Sequence, residues 1–315
     1  MPLPFDLRWI NLWLLEDGDG WLVVDTGVAT AETRGHWDTL FASDALRGQP
    51  AARVLVTHMH PDHLGLAGWL TDRFRCVLWM SRLEYAVGRM LLGDTGREAP
   101  DDAIGFYRAA GWDEEALATY CRRFGMFGRL VGPMPDSFRR VTAGDVLDIG
   151  SRRWQVLGGN GHSPEHLCLF SPDLNLVISG DQLLPRISSN VSVFPTEPEA
   201  DPLTDWLESC AGLKAALPAD VLVLPAHNEP FTGAHDRLQE LIDGHELCLR
   251  RLERRLESGP QRAVDVFGAL FPGAVSKEVL GFATGEAIAH LNCLRARGLA
   301  RRRASPDGVW LYEKA

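Results

Sequence analysis

The sequence predicts an α/β fold built from layers of strands and helices, and three observations support this. Short apolar runs rich in β-branched residues alternate along the chain with stretches that carry apolar residues at helical spacing. Glycine, proline and aspartate cluster between these runs, as is typical of turns. The length of 315 residues predicts about two domains, and 45% hydrophobic with 23% charged residues is typical of a globular protein.

The first strands are predicted from their apolar runs and the turns between them. Residues 10–15 and 21–24 are apolar runs separated by a Glu-Asp-Gly-Asp-Gly turn, which favours a hairpin. Residues 53–56 are β-branched and predict a buried strand, and residues 77–80 predict another. The stretch from about 81 to 140 is mostly helical in pattern, so we expect a helical insertion there.

Further strands are predicted in the middle of the chain. Residues 154–157, 167–170, 176–179 and 221–224 are short apolar runs bounded by turn residues. Between the last two, residues 202–217 carry apolar side chains on one helical face, and Asp201-Pro202 is a favourable helix start.

The pattern changes from about residue 236 onward. A long amphipathic helix is expected up to Gly259-Pro260, followed by helices around residues 263–271 and 287–294. Residues 298–300 and 309–312 predict a small hairpin closed by Pro-Asp-Gly. Helices followed by a two-stranded wing indicate a winged-helix unit. We therefore expect a catalytic domain over residues 1–235 and a winged-helix-like domain over residues 236–315.

Charge and cysteine usage narrow the possible functions. A formal net charge of −10 and a pI near 5.5 disfavour a nucleic acid as partner. Residues 236–315 hold 13 Lys and Arg against 11 Asp and Glu, too weak an excess for tight DNA binding, so packing or homodimerisation through this domain is preferred. Six cysteines without a C-x-x-C pair, and no signal-peptide or membrane-spanning pattern, predict a cytoplasmic protein with no membrane partner.

One nonapeptide carries most of the chemistry. Residues 57–65 place His58, His60, Asp62 and His63 within six positions at the end of a predicted strand. Imidazoles and a carboxylate suit Zn²⁺, and also iron or manganese. The separation of two lets His58 and His60 point the same way, whereas Asp62 and His63 point elsewhere, which suits a second metal ion.

One loop cannot complete two coordination shells, so other ligands must come from elsewhere in the chain. His162, Asp181 and His227 are the candidates, and each lies close to a predicted strand. Glycine or alanine precedes each of them, which lets the side chain approach a crowded centre.

The order of these residues, beginning with Asp25, resembles the five motifs of the metallo-β-lactamase superfamily over roughly the first 235 residues. The resemblance implies a four-layer αβ/βα sandwich and two divalent ions, zinc first and iron or manganese as alternatives. It also implies that a water bridging the ions is deprotonated and acts as the nucleophile. The implied catalytic residues are Asp62, Asp181 and Asp25, the last of these orienting a ligand histidine. The implied ligands are His58, His60 and His162 for the first ion, Asp62, His63 and His227 for the second, and Asp181 for both.

Three further residues are candidates for contact with a small-molecule substrate. Arg186 and Asn190 lie in the segment after Asp181, and Arg186 is suited to a carboxylate or phosphate, with a fold-stabilising ion pair as the alternative. His166 lies four residues after His162, and a substrate contact, a supporting contact to a ligand or a purely structural role are all open.

The sequence therefore predicts a dinuclear metal-dependent hydrolase. We expect a small carbonyl ester as substrate: a thioester of glutathione or coenzyme A in the first place, or a lactone. An RNA-processing nuclease of the same superfamily is the alternative, and a non-enzymatic regulator acting through the winged helix is a third hypothesis.

Overall fold

The computed structural model describes residues 1–4 and 7–315. These residues form two compact units. The first unit contains Met1–Gly96, Gly125–Ser189 and Leu213–Arg237, and the second contains Arg97–Phe124, Asn190–Gly212 and Leu238–Ala315. The division into domains at residue 235 stays a prediction, since these units are defined by compactness alone.

Two five-stranded sheets form the first unit. The first sheet has the order β1-β2-β3-β4-β5, with an antiparallel β1–β2 hairpin and parallel pairing from β2 onward. Its strands are β1 Trp13–Asp17, β2 Gly20–Val24, β3 Ala51–Leu55, β4 Val77–Met80 and β5 Arg139–Arg140.

The second sheet has the order β10-β9-β8-β7-β6, antiparallel except for the parallel pair β9–β10. Its strands are β6 Val146–Ile149, β7 Arg152–Gly159, β8 His166–Ser171, β9 Leu176–Gly180 and β10 Leu222–Pro225.

Alternation along β2 shows how the sheets are packed. Leu22 and Val24 join a buried cluster that includes Trp154 and Leu169 of the second sheet, so the two sheets pack face to face. Val23 points the other way, into a second cluster that covers the outer face of the first sheet. That cluster includes Trp37 and Leu70, which lie on helices.

The helices flank these sheets and fill the connections between strands. Helices α1 Ala31–Phe41, α2 Pro61–Leu64, α3 Ala67–Phe74 and α4 Arg82–Gly93 belong to the first unit, and α5 Asp101–Ala110 and α6 Glu114–Arg123 belong to the second. Short 3₁₀ helices cover Asp44–Leu46 and Met126–Arg129. The predicted helical segment is therefore present, broken between α4 and α5 and again after α6.

The remaining elements lie toward the C-terminus. Helices α7 Pro202–Ala216 and α8 Ala234–Leu256 are followed by a 3₁₀ helix at Ala263–Val266, α9 Phe267–Leu270 and α10 Leu280–Ala296. Strands β11 Ala300–Ala304 and β12 Trp310–Lys314 form an antiparallel hairpin. Helices and hairpin are as expected, and their identification as a winged helix stays a prediction. Among the described residues, no helix combines the length and apolar character needed to cross a membrane.

Candidate metal centre

The candidate ligands lie just after the C-terminal ends of strands. In the first sheet β2 and β3 run parallel, and in the second sheet β7, β9 and β10 share one direction. Strands that run the same way in a sheet end at the same edge, so the residues that follow them are brought together. The residues concerned are Asp25 after β2, His58 to His63 after β3, His162 after β7, Asp181 after β9 and His227 after β10.

The loop after β3 is held in a fixed shape. Pro61 occupies the first turn of α2, where its missing N–H costs nothing, and His60 precedes it as the N-cap residue. The backbone N–H of His63 donates to the His60 carbonyl at 3.0 Å. The Thr26 hydroxyl donates to the carbonyl of His63 at 2.7 Å. Asp62 and His63 are therefore presented from a short helical turn, and His58 and His60 lie in the loop just before it.

Four of the candidate residues form a first ligand group. His58 Nε2 lies 2.8 Å from His60 Nδ1, which lies 3.0 Å from His162 Nε2. Asp181 Oδ2 lies 3.4 Å from His162 Nε2 and 3.9 Å from His58 Nε2. Since metal–ligand bonds are about 2 Å long, atoms at these separations can share one ion.

A second ligand group lies on the other side of Asp181. His227 Nε2 is 3.3 Å from Asp62 Oδ2, and His63 Nε2 is 3.7 Å from the same oxygen. Both imidazole nitrogens lie 3.4 Å from Asp181 Oδ1. Asp181 therefore directs one carboxylate oxygen toward each group, which is the arrangement that a bridging ligand needs.

Three atoms of the second group test whether the residues fit a metal ion. His63 Nε2, His227 Nε2 and Asp181 Oδ1 are buried, and none has a hydrogen-bond partner among the described residues. Buried polar atoms are almost always paired, so three unpaired ones facing a common point are anomalous in a purely structural cluster. A divalent cation would satisfy all three, and the imidazole and carboxylate donors are those that zinc accepts.

Hydrogen bonds behind the ligands fix which ring nitrogen faces the centre. Asp25 Oδ2 lies 2.8 Å from His63 Nδ1 and accepts from the Thr57 hydroxyl at 2.9 Å, while Asp25 Oδ1 accepts from the Thr57 backbone N–H at 2.8 Å. The Thr57 hydroxyl also lies 3.0 Å from His58 Nδ1. A proton held on Nδ1 of each ring leaves Nε2 free to bind a metal.

Burial and neighbouring charges shift the pKa values of the side chains in this cluster. Burial lowers the pKa of His58 well below its usual range and lowers the pKa of His60 to about 3, so both rings are neutral donors. Burial also acts against protonation of His63, but the carboxylates of Asp25, Asp181 and Asp62 raise its pKa well above the usual value. Although burial opposes ionisation of Asp181, the neighbouring imidazoles of His63, His162 and His227 hold its pKa well below the ordinary range.

The centre opens to solvent on the carboxylate side. The side chains of His58 and His63 have no exposed surface, whereas Asp62 and Asp181 keep 12% and 11% of theirs. His60 is also partly exposed. A water molecule or a substrate therefore reaches the cluster between these groups.

Comparison with known proteins agrees with this geometry. Residues 8–227 match the model of the metallo-beta-lactamase superfamily. The chain belongs to the metallo-β-lactamase superfamily. Residues 249–315 match a second model, the metallo-beta-lactamase-like C-terminal domain, so this region is typical of a branch of the superfamily.

Three relatives show how far the likeness extends. A crystal structure of a beta-lactamase domain protein from Burkholderia ambifaria is 40% identical, with a TM-score of 0.91 over 100% of this chain and 91% of that one. A probable metallo-hydrolase from Bacillus subtilis is 24% identical over 94% of this chain and 91% of its own length. An acyl-coenzyme A thioesterase from Gallus gallus is 28% identical over 75% of this chain and 77% of its own length.

These findings confirm the predicted metallo-β-lactamase fold of two sheets flanked by helices. Together with the two ligand groups, they show that this member of the superfamily is a metal-dependent hydrolase. The structure brings all seven predicted ligands into those groups.

The three predicted substrate contacts have different positions. Arg186 is exposed and its Nε donates to Glu229 at 2.8 Å. This is an ion pair of the kind predicted as the alternative to substrate binding. Asn190 donates to Glu286 at 2.7 Å. His166 has no exposed surface, and its Nε2 accepts from the Asp181 backbone N–H at 3.2 Å. His166 therefore supports the backbone of Asp181 from behind and has no surface left for a substrate.

Glu84 is a functional residue that the sequence analysis did not identify. It is fully buried on α4, where Oε2 accepts from the Met59 N–H at 2.9 Å and Oε1 accepts from the Glu165 N–H at 2.8 Å. One carboxylate thereby joins the two loops that carry the three histidines of the first ligand group. What distinguishes Glu84 is its complete burial, and burial is not visible in the sequence.

Proposed function

We propose that this superfamily member hydrolyses small thioesters, with coenzyme A or glutathione as the thiol, at a centre of two zinc ions. The observation that carries the proposal is the Asp181 carboxylate, which directs Oδ2 at the first ligand group and Oδ1 at the second. The likeness to an acyl-coenzyme A thioesterase over three quarters of the chain supports the choice of thioester.

The chemistry divides between the ions and the chain's own residues. Zinc ions bound to these ligands would supply Lewis acidity, which lowers the pKa of water and polarises a carbonyl. Asp25 fixes the ring of His63 through Nδ1, and His166 and Glu84 hold the backbone that carries the ligands. In the overall reaction water adds to the acyl carbon, the C–S bond breaks, and a carboxylic acid and a thiol are released.

The test uses the full chain with acyl-coenzyme A of several acyl lengths, acyl-glutathione, lactones and a structured RNA. We expect thiol release from at least one thioester class, and loss of that activity on treatment with a chelator and in Asp181→Ala. Restoring zinc should restore the wild type alone. Asp19→Ala, in an exposed turn, is the matched control and should keep full activity.

Each other outcome has a defined meaning. If lactones are hydrolysed and neither acyl-coenzyme A nor acyl-glutathione is cleaved, the substrate assignment is overturned. Thiol release that survives the chelator and Asp181→Ala would overturn the metal mechanism. Cleavage of the RNA alone would favour a nuclease, against which the net charge of −10 weighs.

A further inference from the structure

A second cluster of metal-binding side chains lies in the second unit. His245 is on α8, and Glu286 and His290 are four residues apart on α10, so they share a face of that helix. One ligand atom from each of the three lies within 4.8 Å of the others. Two histidines and a carboxylate are the donor set seen in catalytic zinc sites with three protein ligands.

The distance between the two imidazoles matches a shared ion. His245 Nδ1 lies 3.3 Å from His290 Nε2. Two nitrogens bound to one zinc at about 2.0–2.1 Å, with a tetrahedral angle between them, are about 3.4 Å apart. The same separation also allows one imidazole to donate a hydrogen bond to the other, and that alternative is what the experiment must exclude.

The ligand orientations are set from behind, as in the first centre. His290 Nδ1 lies 2.8 Å from the Glu286 carbonyl, where an N–H on Nδ1 donates and leaves the Nε2 lone pair facing His245. Glu286 Oε2 accepts from the amide of Asn190 at 2.7 Å. Among the described residues no Lys or Arg forms an ion pair with Glu286.

A cavity gives access to this cluster. It has a volume of about 270 Å³, and Glu286 and Asn190 form part of its wall. The rest of the lining is mainly apolar and includes Phe271, Val279 and Phe282. The carboxylate of Glu286 can therefore be reached from this cavity.

We propose that His245, Glu286 and His290 bind one divalent zinc-class ion, in addition to the ions of the centre around Asp181. Such an ion cross-links α8 to α10, and its carboxylate ligand lies in the wall of the cavity. This site does not depend on the proposed thioesterase function, because its test counts ions and not turnover.

The experiment measures zinc per chain in the full-length protein after equilibration with zinc and removal of excess ion. We expect three ions in the wild type and two in Glu286→Gln, a variant of equal size whose amide oxygen still accepts from Asn190. His245→Gln should also bind two. His36→Gln is the matched control, because His36 also lies four residues from a glutamate, Glu32, but on the exposed face of α1; it should keep three.

A complementary variant avoids any change in the second unit. His58→Ala combined with His63→Ala removes a ligand from each group of the first centre, and we expect it to retain one tightly bound ion that a further Glu286→Gln change removes. Two ions in the wild type, or three in both Glu286→Gln and His245→Gln, would overturn the site and leave the imidazole hydrogen bond as the explanation. If a variant fails to fold, as judged by circular dichroism, the wild-type count and the complementary variant decide.

Discussion

At the scale of single residues, the carboxylate of Asp25 links the end of β2 to the loop after β3. It accepts from the backbone N–H of Thr57 and lies against the ring of His63. Its backbone φ of +63° lies in the left-handed region, which non-glycine residues seldom occupy. Both of its oxygens are used, one by the Thr57 backbone and the other by the Thr57 hydroxyl and His63. A strained conformation kept in place by several hydrogen bonds is typical of residues that position a functional group.

Asp25→Asn tests this positioning role. An amide has one acceptor atom, so it must turn its NH₂ toward either the Thr57 N–H or the Nδ1 proton of His63. We expect zinc affinity at the second ligand group to fall by about 10–100-fold, measured by competition with a chelator. Asp19→Asn, in the exposed hairpin turn, is the control. Equal affinity in both variants would contradict the role.

Glu84→Gln tests the link between the two ligand loops. The new amide keeps one acceptor and places its NH₂ against a backbone N–H that the carboxylate had satisfied. An unsatisfied buried donor costs about 1–3 kcal/mol, so we expect the free energy of unfolding in urea to fall by about that amount. Glu98→Gln, at an exposed position, should leave it unchanged. A loss equal to that of the control would mean that the link does not stabilise the fold.

The sequence predicts the residues of the two ligand groups and misses the residues that support them, for a physical reason. His58, His60, Asp62 and His63 are close in the chain, and their spacing follows from a strand end and one helical turn. Glu84 bonds to backbone groups 25 and 81 residues away. Such contacts depend on how helices pack, and no local pattern records them.

At the scale of elements, the end of β9 determines where the carboxylate of Asp181 lies. Gly180 has a φ of +51°, and a Cβ added there would meet His166 Nε2 at 2.5 Å. His166 in turn accepts from the Asp181 N–H. The turn that carries Asp181 is thus packed directly against the imidazole of His166.

Gly180→Ala should therefore disturb the centre and not the backbone alone. The left-handed conformation costs a non-glycine residue about 1–2 kcal/mol, and the clash also displaces His166 from the Asp181 backbone. We expect lower stability together with at least a tenfold loss of zinc affinity. Gly48→Ala is the matched control: its φ is +68° with open space around it, so it should lose stability alone. Unchanged zinc affinity in Gly180→Ala would show that the turn tolerates the side chain.

The elements that the sequence predicted share strong local patterns. The β1–β2 hairpin, β3, β4, β8 and β9 are apolar runs bounded by turn residues, and they appear close to the predicted bounds. Helix α1 was not predicted, because it buries only Thr33 and Trp37 and so lacks a continuous apolar face. Strand β6 is four residues long with two exposed positions, too short for its alternation to be recognised.

At the scale of the whole molecule, the second unit joins three separate pieces of chain. Trp112 Nε1 donates to the Thr284 hydroxyl at 2.9 Å across 172 residues of sequence, and the ring of Phe106 meets that of Trp310 edge-on. The sequence predicts a catalytic domain that includes residues 97–124, and this stays a prediction, since helix patterns do not reveal which distant segment a helix packs against. Compactness instead groups that segment with the C-terminal residues.

The second unit should lose stability in acid through His245 and His290. Burial lowers the pKa of His245 to about 3, with a further contribution from His290 and opposed by Glu246; burial lowers the pKa of His290 to about 4. The unfolded chain takes up protons below about pH 6.5, while the folded chain does not until pH 4 or lower. The contribution of the two histidines to the free energy of unfolding is therefore complete above pH 6.5 and is lost as the pH falls.

In metal-free protein, we expect His245→Gln to change how the free energy of unfolding in urea depends on pH. Its slope between pH 6 and pH 4.5 should be shallower than that of the wild type by about 1.4 kcal/mol per pH unit. His36→Gln, exposed on α1, should keep the wild-type slope, and an identical slope in all three proteins would show that His245 does not remain neutral in the folded chain.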